Sequence, residues 1–194
     1  LGGIIAARLA KEFRLGALCS TISCGEISGL RALTIAVNAL QNHEADSYLA
    51  AAVDFTGDPR NLLLERLLGK TYTDNMTIPF DKTHAGANPG DAAVCLALKR
   101  LSDAKADNNR IYAVLNEHAY SFDWQMASML PTEATVNTAI EQIKKAASGP
   151  IELVVTTADA DAANDDLQAA ALAQNFAGPT KNTALASPAQ TTGN

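Results

Sequence analysis

The sequence predicts an α/β fold built on a largely parallel sheet with helices on its faces, and three observations carry that prediction. Helical and extended patterns alternate from one end of the chain to the other. Two short apolar runs, YLAAAVDF (residues 48–55) and IELVVTT (residues 151–157), are bounded by polar residues, as buried parallel strands are. Between Glu26 and Gln41, residues Ile27, Leu30, Leu33, Val37 and Leu40 fall on one helical face.

The elements follow in order. Ile4, Ile5, Ala7, Leu9 and Phe13 recur with helical spacing and predict a helix over 3–13. After Gly16 a β-branched stretch predicts a short strand at about 17–23, which leads into Cys24, Gly25 and the amphipathic helix. The strand at 48–55 is followed by a short helix at 61–68 and a long irregular segment holding Pro79, Gly86, Pro89 and Gly90. Strands are expected at 92–99 and 111–117. Pro131 and Thr132 open a helix through about Ala147, because proline's missing N–H costs nothing in the first turn. A strand at 151–157, a helix at 165–174 and a strand beginning at 184–187 complete the alternation. The polar or small-residue tail from Gly178 stops without a helix or cap, and Leu1 is not an initiator methionine, so the chain reads as a piece of something longer.

Composition narrows the function classes. With 194 residues, 47% of them apolar, the chain has material for a real core. A formal charge of −6 argues against nucleic acid or an anionic membrane surface as the main partner. Three cysteines without a repeated C-x-x-C point to a reducing, cytoplasmic setting rather than a disulfide framework. No apolar run reaches the length of a membrane helix.

The chemistry-bearing residues have plain readings as well as functional ones. Cys24 stands where a helix N-terminus could lower a thiol's pKa, but a lone cysteine is more commonly a small buried apolar residue. Cys19 lies five residues earlier, on the opposite face of a strand, and makes a poor metal or disulfide partner for it. His43, His84 and His118 are scattered without metal-ligand spacing and read as surface or loop histidines. The run DADAANDD (159–166) lacks the central glycine and terminal glutamate of a calcium loop; it reads as a polar loop whose Asn164 and Asp165 begin a helix. No cofactor or metal is expected.

One long segment carries a resemblance. IPFDKTHAGANPGDAAVCLALKRLSDAKADNNRIYAVL (78–115) resembles the middle of a β-ketoacyl synthase of the multidomain fatty acid and polyketide type. Its Pro79-Phe80-Asp81, its Gly90-Asp91-Ala92-Ala93 turn, Leu98 to Leu101 and the RIYAV stretch come in the family's order. EADSYLAAAVDFTGDPRN, upstream, is similar to the strand after the nucleophile helix. The resemblance runs through nearly the whole chain. It implies a thiolase-like, layered αβαβα fold of which residues 1–194 form an incomplete segment, 1–110 ending the N-terminal half and 111–194 starting the C-terminal half.

The resemblance also assigns positions. Active members place a cysteine at the start of the helix that here reads SGLRAL; without a gap, Glu26 takes that place and Cys24 falls two residues early. The histidine of a motif of the form EAHGTGT aligns with Thr157. The lysine and second histidine of a motif resembling SVKSNIGH align with Ala189 and Asn194. Condensation needs a thiolate to carry the acyl chain and imidazoles to stabilise the enolate. Glutamate, threonine and asparagine supply neither near neutral pH. The Glu26 carboxylate is expected instead to accept backbone N–H bonds at the helix N-terminus.

The implied role is that of a chain-length-factor-like domain, similar to those of bacterial polyunsaturated fatty acid and polyketide synthases. Such a domain pairs with an active ketosynthase, meets acyl carrier protein bearing phosphopantetheine thioesters, and shapes the acyl tunnel. By analogy residues 17–23 are candidates for contacting the partner. Other readings stand beside it: a decarboxylating loading ketosynthase, a shifted register that restores Cys24 as nucleophile, or a purely structural scaffold of the synthase. Small Ala32, Ala36 and Ala39 would leave a tunnel open if they face it.

Overall fold

A computed structural model of the chain describes residues 3–16, 18–73, 77–83, 86–116, 119, 121, 131–177 and 183–187. Six helices and four strands alternate among them: α1 (Gly3–Glu12), α2 (Ser28–Gln41), β1 (Ser47–Phe55), α3 (Pro59–Leu67), β2 (Asp91–Lys99), α4 (Leu101–Ala106), α5 (Glu133–Ala146), β3 (Leu153–Val155), α6 (Ala162–Phe176) and β4 (Ala184–Ala186). β1 pairs with β2, and β3 runs parallel to β4 in the register Leu153↔Ala184, Val154↔Leu185, Val155↔Ala186. The chain divides into two compact units, Leu1–Asp54 with Ala93–Val114, and Phe55–Ala92 with Leu115–Asn194.

In the first unit, the predicted amphipathic helix forms and buries Ala36, Ala39 and Leu40. Gly29 lies in its first turn, where an added Cβ would come within 2.9 Å of the Ala52 side chain on β1, so only glycine permits this close approach. α2 ends with His43 in the left-handed region (φ 58°), the His43 N–H donating to Leu40 O and the Glu44 N–H to Ala39 O. That is a Schellman ending with a histidine where glycine is usual. α1 and α4 close the same way at Arg14 (φ 53°) and Asn108 (φ 52°). Arg100 then ties the end of α2 to the start of β1: its guanidinium donates to Leu40 O (3.0 Å), Ala45 O (2.7 Å) and the Asp46 carboxylate (2.8 Å).

In the second unit, Asp58 caps α3 by accepting the Arg60 N–H at 2.8 Å, and Pro59 sits in the first turn. The Arg60 side chain bonds the same carboxylate and holds its pKa below the usual range. α5 starts at a Thr132 cap and packs on α6 through polar groups. Asn137 donates to Gln174 at 2.6 Å, Asn175 donates to Asn137 at 2.6 Å, and Lys144 reaches Asn175 O at 3.3 Å.

Several expectations are corrected. Residues 18–23 and 111–116 form no strand: Thr21, Ile22, Ile111 and Val114 supply β-propensity, but propensity without a paired neighbour does not make a ladder. The strands at 48–55 and 151–157 form, but not as buried runs. Within β1 only Ala50 is buried, while Leu153 and Val155 remain more than half exposed and only three residues of the later run pair. α6 begins at Ala162 rather than Asp165, because the Asp161 side chain caps it by accepting the Ala163 and Asn164 N–H groups. The buried apolar residues are mostly alanines, with Leu40 and Leu172, whereas Val53, Phe55, Val94 and Leu96 stay exposed. Among the described residues no helix is long and apolar enough to cross a membrane.

Candidate functional site

The Glu26 position lies in the first unit, in the turn that feeds α2. Gly25 takes φ +61°, which lets the chain reverse ahead of the helix. Ser28 fastens the turn: its hydroxyl accepts the Cys24 N–H at 2.9 Å and donates to Gly25 O at 2.5 Å. The residue in the N-cap position is Ile27, and it makes no side-chain capping bond. The expected capping by Glu26 is therefore not realised. Its carboxylate precedes the N-cap, outside the geometry from which a side-chain oxygen reaches the N2 and N3 amides, and among the described residues it takes no hydrogen bond. Its negative charge still lies at the favourable end of the helix dipole. Cys24 is exposed, not buried as the common reading of a lone cysteine expects; its neighbours are turn residues rather than a packed strand.

The alanines that follow divide. Ala36 is fully buried and Ala39 nearly so, which assigns both to the packing of α2, while Ala32 is half-buried. His43 serves the helix ending already described. His84 and His118 lie outside the described residues.

The Thr157 position lies in the second unit, where β3 passes into α6. Its side chain is exposed, but the loop after it is not: Ala158, Asp159 and Ala160 are all buried. Thr157 is held from both of its polar groups. Gln168 Nε2 donates to Thr157 Oγ1 at 3.2 Å, and Asn164 Nδ2 donates to Thr157 O at 3.3 Å. The two amides stand four residues apart on α6 and bond each other, Gln168 Nε2 to Asn164 Oδ1 at 2.9 Å. Ser187 Oγ donates to Ala158 O at 2.7 Å.

Farther along the loop, the Asp159 carboxylate accepts the Asp161 N–H at 3.2 Å and faces Lys70 Nζ at 3.7 Å. Lys70 also faces Glu65 at 3.7 Å, and the Tyr72 hydroxyl bonds Glu65. A buried carboxylate with an ammonium and an N–H as partners is satisfied rather than reactive.

Neither position carries a thiol, imidazole or ammonium of its own. Thr157 can accept a hydrogen bond from Gln168 while its own proton remains available to donate, but a hydroxyl does not serve as a base near neutral pH. Ala189 and Asn194 lie outside the described residues. Among the described residues no three His, Cys, Asp or Glu side chains gather to hold a metal ion. The ties on Thr157 were missed from sequence alone. The readable signal was the Asn164/Gln168 pair at i, i+4 on a helix whose cap is Asp161.

Comparison with known proteins gives one consistent picture. The profile of the family described as "Beta-ketoacyl synthase, N-terminal domain" matches residues 1–104. The chain is 28% identical over 176 residues to the PKS-NRPS hybrid synthetase ATPKS of Aspergillus niger, covering 89% of this chain and 10% of that protein. It is 34% identical over 116 residues to a mycocerosic acid synthase-like polyketide synthase of Mycobacterium tuberculosis, covering 60% of this chain and 6% of that protein. The chain thus spans about a tenth or less of the length of these curated relatives.

Among solved structures, the ketosynthase from module 6 of the bacillaene synthase of Bacillus subtilis 168 superposes with a TM-score of 0.89 at 24% identity. It covers 100% of this chain and 35% of its own. A type II polyketide synthase ketosynthase, solved with its acyl-carrier protein and bound to the hexaketide, gives a TM-score of 0.85 at 23% identity, covering 97% of this chain and 49% of its own. The fold is therefore the thiolase-like ketosynthase fold, of which this chain is a partial segment.

Proposed function

This chain belongs to the β-ketoacyl synthase family, and we propose that within it the chain is a non-catalytic, chain-length-factor-like domain. Its role is to pair with an active β-ketoacyl synthase and help set acyl chain length in fatty acid or polyketide synthesis. The observation that carries the proposal is Glu26. In the register of the family's nucleophile helix it stands where active members hold cysteine, and a carboxylate cannot carry a growing acyl chain as a thioester. Thr157, Ala189 and Asn194 extend the same reading, since none supplies the imidazole or ammonium of its aligned position.

The proposed partners are an active ketosynthase domain or subunit, in the same chain or another, and acyl carrier protein presenting phosphopantetheine thioesters. Support for the carrier protein comes from the ketosynthase neighbour solved with one. Residues 17–23 are the proposed contact with the ketosynthase partner. Those of them that the structure describes, 18–23, lie outside the two sheets, with Leu18 83% exposed. In this reading residues 1–110 end the N-terminal half and 111–194 start the C-terminal half, in a cytoplasmic protein without a cofactor.

The test is Glu26→Cys in the full protein, co-expressed with its ketosynthase partner and assayed with the partner's own cysteine replaced by alanine. The variant is expected to show no condensation, because Thr157 and Asn194 remain. Substantial condensation would show that the rest of the machinery survives and would overturn the non-catalytic reading.

A further inference from the structure

The loop that carries Thr157 is joined to a distant stretch of its own unit through one carboxylate. Asp165, in the first turn of α6, is buried to 6% exposure. Its Oδ2 accepts the Phe80 N–H at 2.5 Å, and its Oδ1 accepts the Asp159 N–H at 3.1 Å. Each oxygen thus serves one backbone amide, and the two amides lie in segments far apart in sequence. Next to this bridge the Gly86 N–H donates to Ala160 O at 3.0 Å, a second tie between the same two segments.

The backbone on both sides is unusual in the same way. Phe80 has φ +67° and Ala160 has φ +66°, the left-handed region in which a side chain is disfavoured. Neither residue is glycine, so neither segment would hold this shape by local preference alone. Strained backbone of this kind persists where its surroundings over-determine it. The surroundings here are the shared carboxylate, the Gly86–Ala160 bond and the Lys70–Asp159 pair.

We propose that Asp165 is a positioning residue that latches the Thr157–Asp161 loop to the turn around Phe80, so that the two segments open and close as one body. A displacement of the turn is then transmitted to the backbone that presents Thr157, and the reverse. The latch does not depend on whether Thr157 stands in place of a base.

Amide hydrogen exchange on the full protein tests this, with Asp165→Asn as the main variant. The asparagine keeps one acceptor oxygen and loses the other, so only one of the two bonds is removed directly. If the segments open together, exchange at both the Phe80 and Asp159 amides accelerates by a similar factor, about tenfold or more for loss of a charge-assisted hydrogen bond. The Ile140 amide, within α5, serves as the report of global unfolding and stays unchanged. Asp166→Asn, at the exposed neighbouring position, leaves all three amides unchanged. Acceleration at only one of the two amides would show independent opening and overturn the latch. So would an equal rise at Ile140, which would make Asp165 a contributor to overall stability alone, or no change at either amide.

Discussion

The turn ahead of α2 and the loop ahead of α6 each lead into a helix, and they are built in opposite ways. The first is exposed from Ser23 to Ile27 and fastened by the Ser28 side chain. The second is buried over Ala158–Ala160 and fastened by Asn164, Asp165, Gln168, Ser187 and Lys70. At the first, the residue identity at position 26 is under no visible structural demand, so a change there can follow function alone. At the second, much of the sequence is committed to holding the loop's shape, and Thr157 itself takes part in that hold.

The contrast predicts unequal effects of substitution. The largest is expected at Asp159→Ala, which removes the buried partner of Lys70 and the acceptor of the Asp161 amide. A loss of about 3 kcal/mol in chemical denaturation of the full protein is expected, and a loss no larger than that of a surface substitution would erase the contrast. Gly29→Val comes next, as a probe of how the first unit holds α2 rather than of its turn. With an added Cβ only 2.9 Å from Ala52, overpacking of about 2 kcal/mol is expected. His43→Gly should act in the other direction, relieving a left-handed residue at the end of α2 and raising stability by up to about 1 kcal/mol once the greater freedom of glycine in the unfolded chain is set against it. Glu26→Gln is expected to do least, within about 0.5 kcal/mol, because the carboxylate takes no bond among the described residues. A large destabilisation there would give Glu26 a structural duty and weaken the functional reading of its presence.

The parts of the fold that were legible are those whose signal is local. The i, i+3, i+7 face from Ile27 to Leu40 located α2, and Pro131 with Thr132 marked the start of α5, although Thr132 is its cap and Pro131 lies ahead of the helix rather than in its first turn. What was not legible depended on partners distant in the chain. Residues 18–23 and 111–116 have strand-forming composition but no ladder within either sheet. The start of α6 was misread by three residues because Asn164 and Asp165 resemble caps, whereas Asp161 does the capping and Asp165 turns inward to Phe80 and Asp159. For the candidate site, register along the chain gives Glu26 and Thr157 as expectations only. It could not reveal that one stands in an open turn and the other on a latched loop, since those ties run through side chains with no periodic signature.

Acyl-site mapping decides whether this domain carries the acyl chain. The full protein and the proposed ketosynthase partner would be incubated with radiolabelled acyl and malonyl thioesters, then digested and mapped by mass spectrometry. Label is expected on the proposed partner's cysteine and on carrier protein, with the peptide containing Cys24 and Glu26 blank. A thioester on Cys24 that forms and discharges during turnover would overturn the non-catalytic reading.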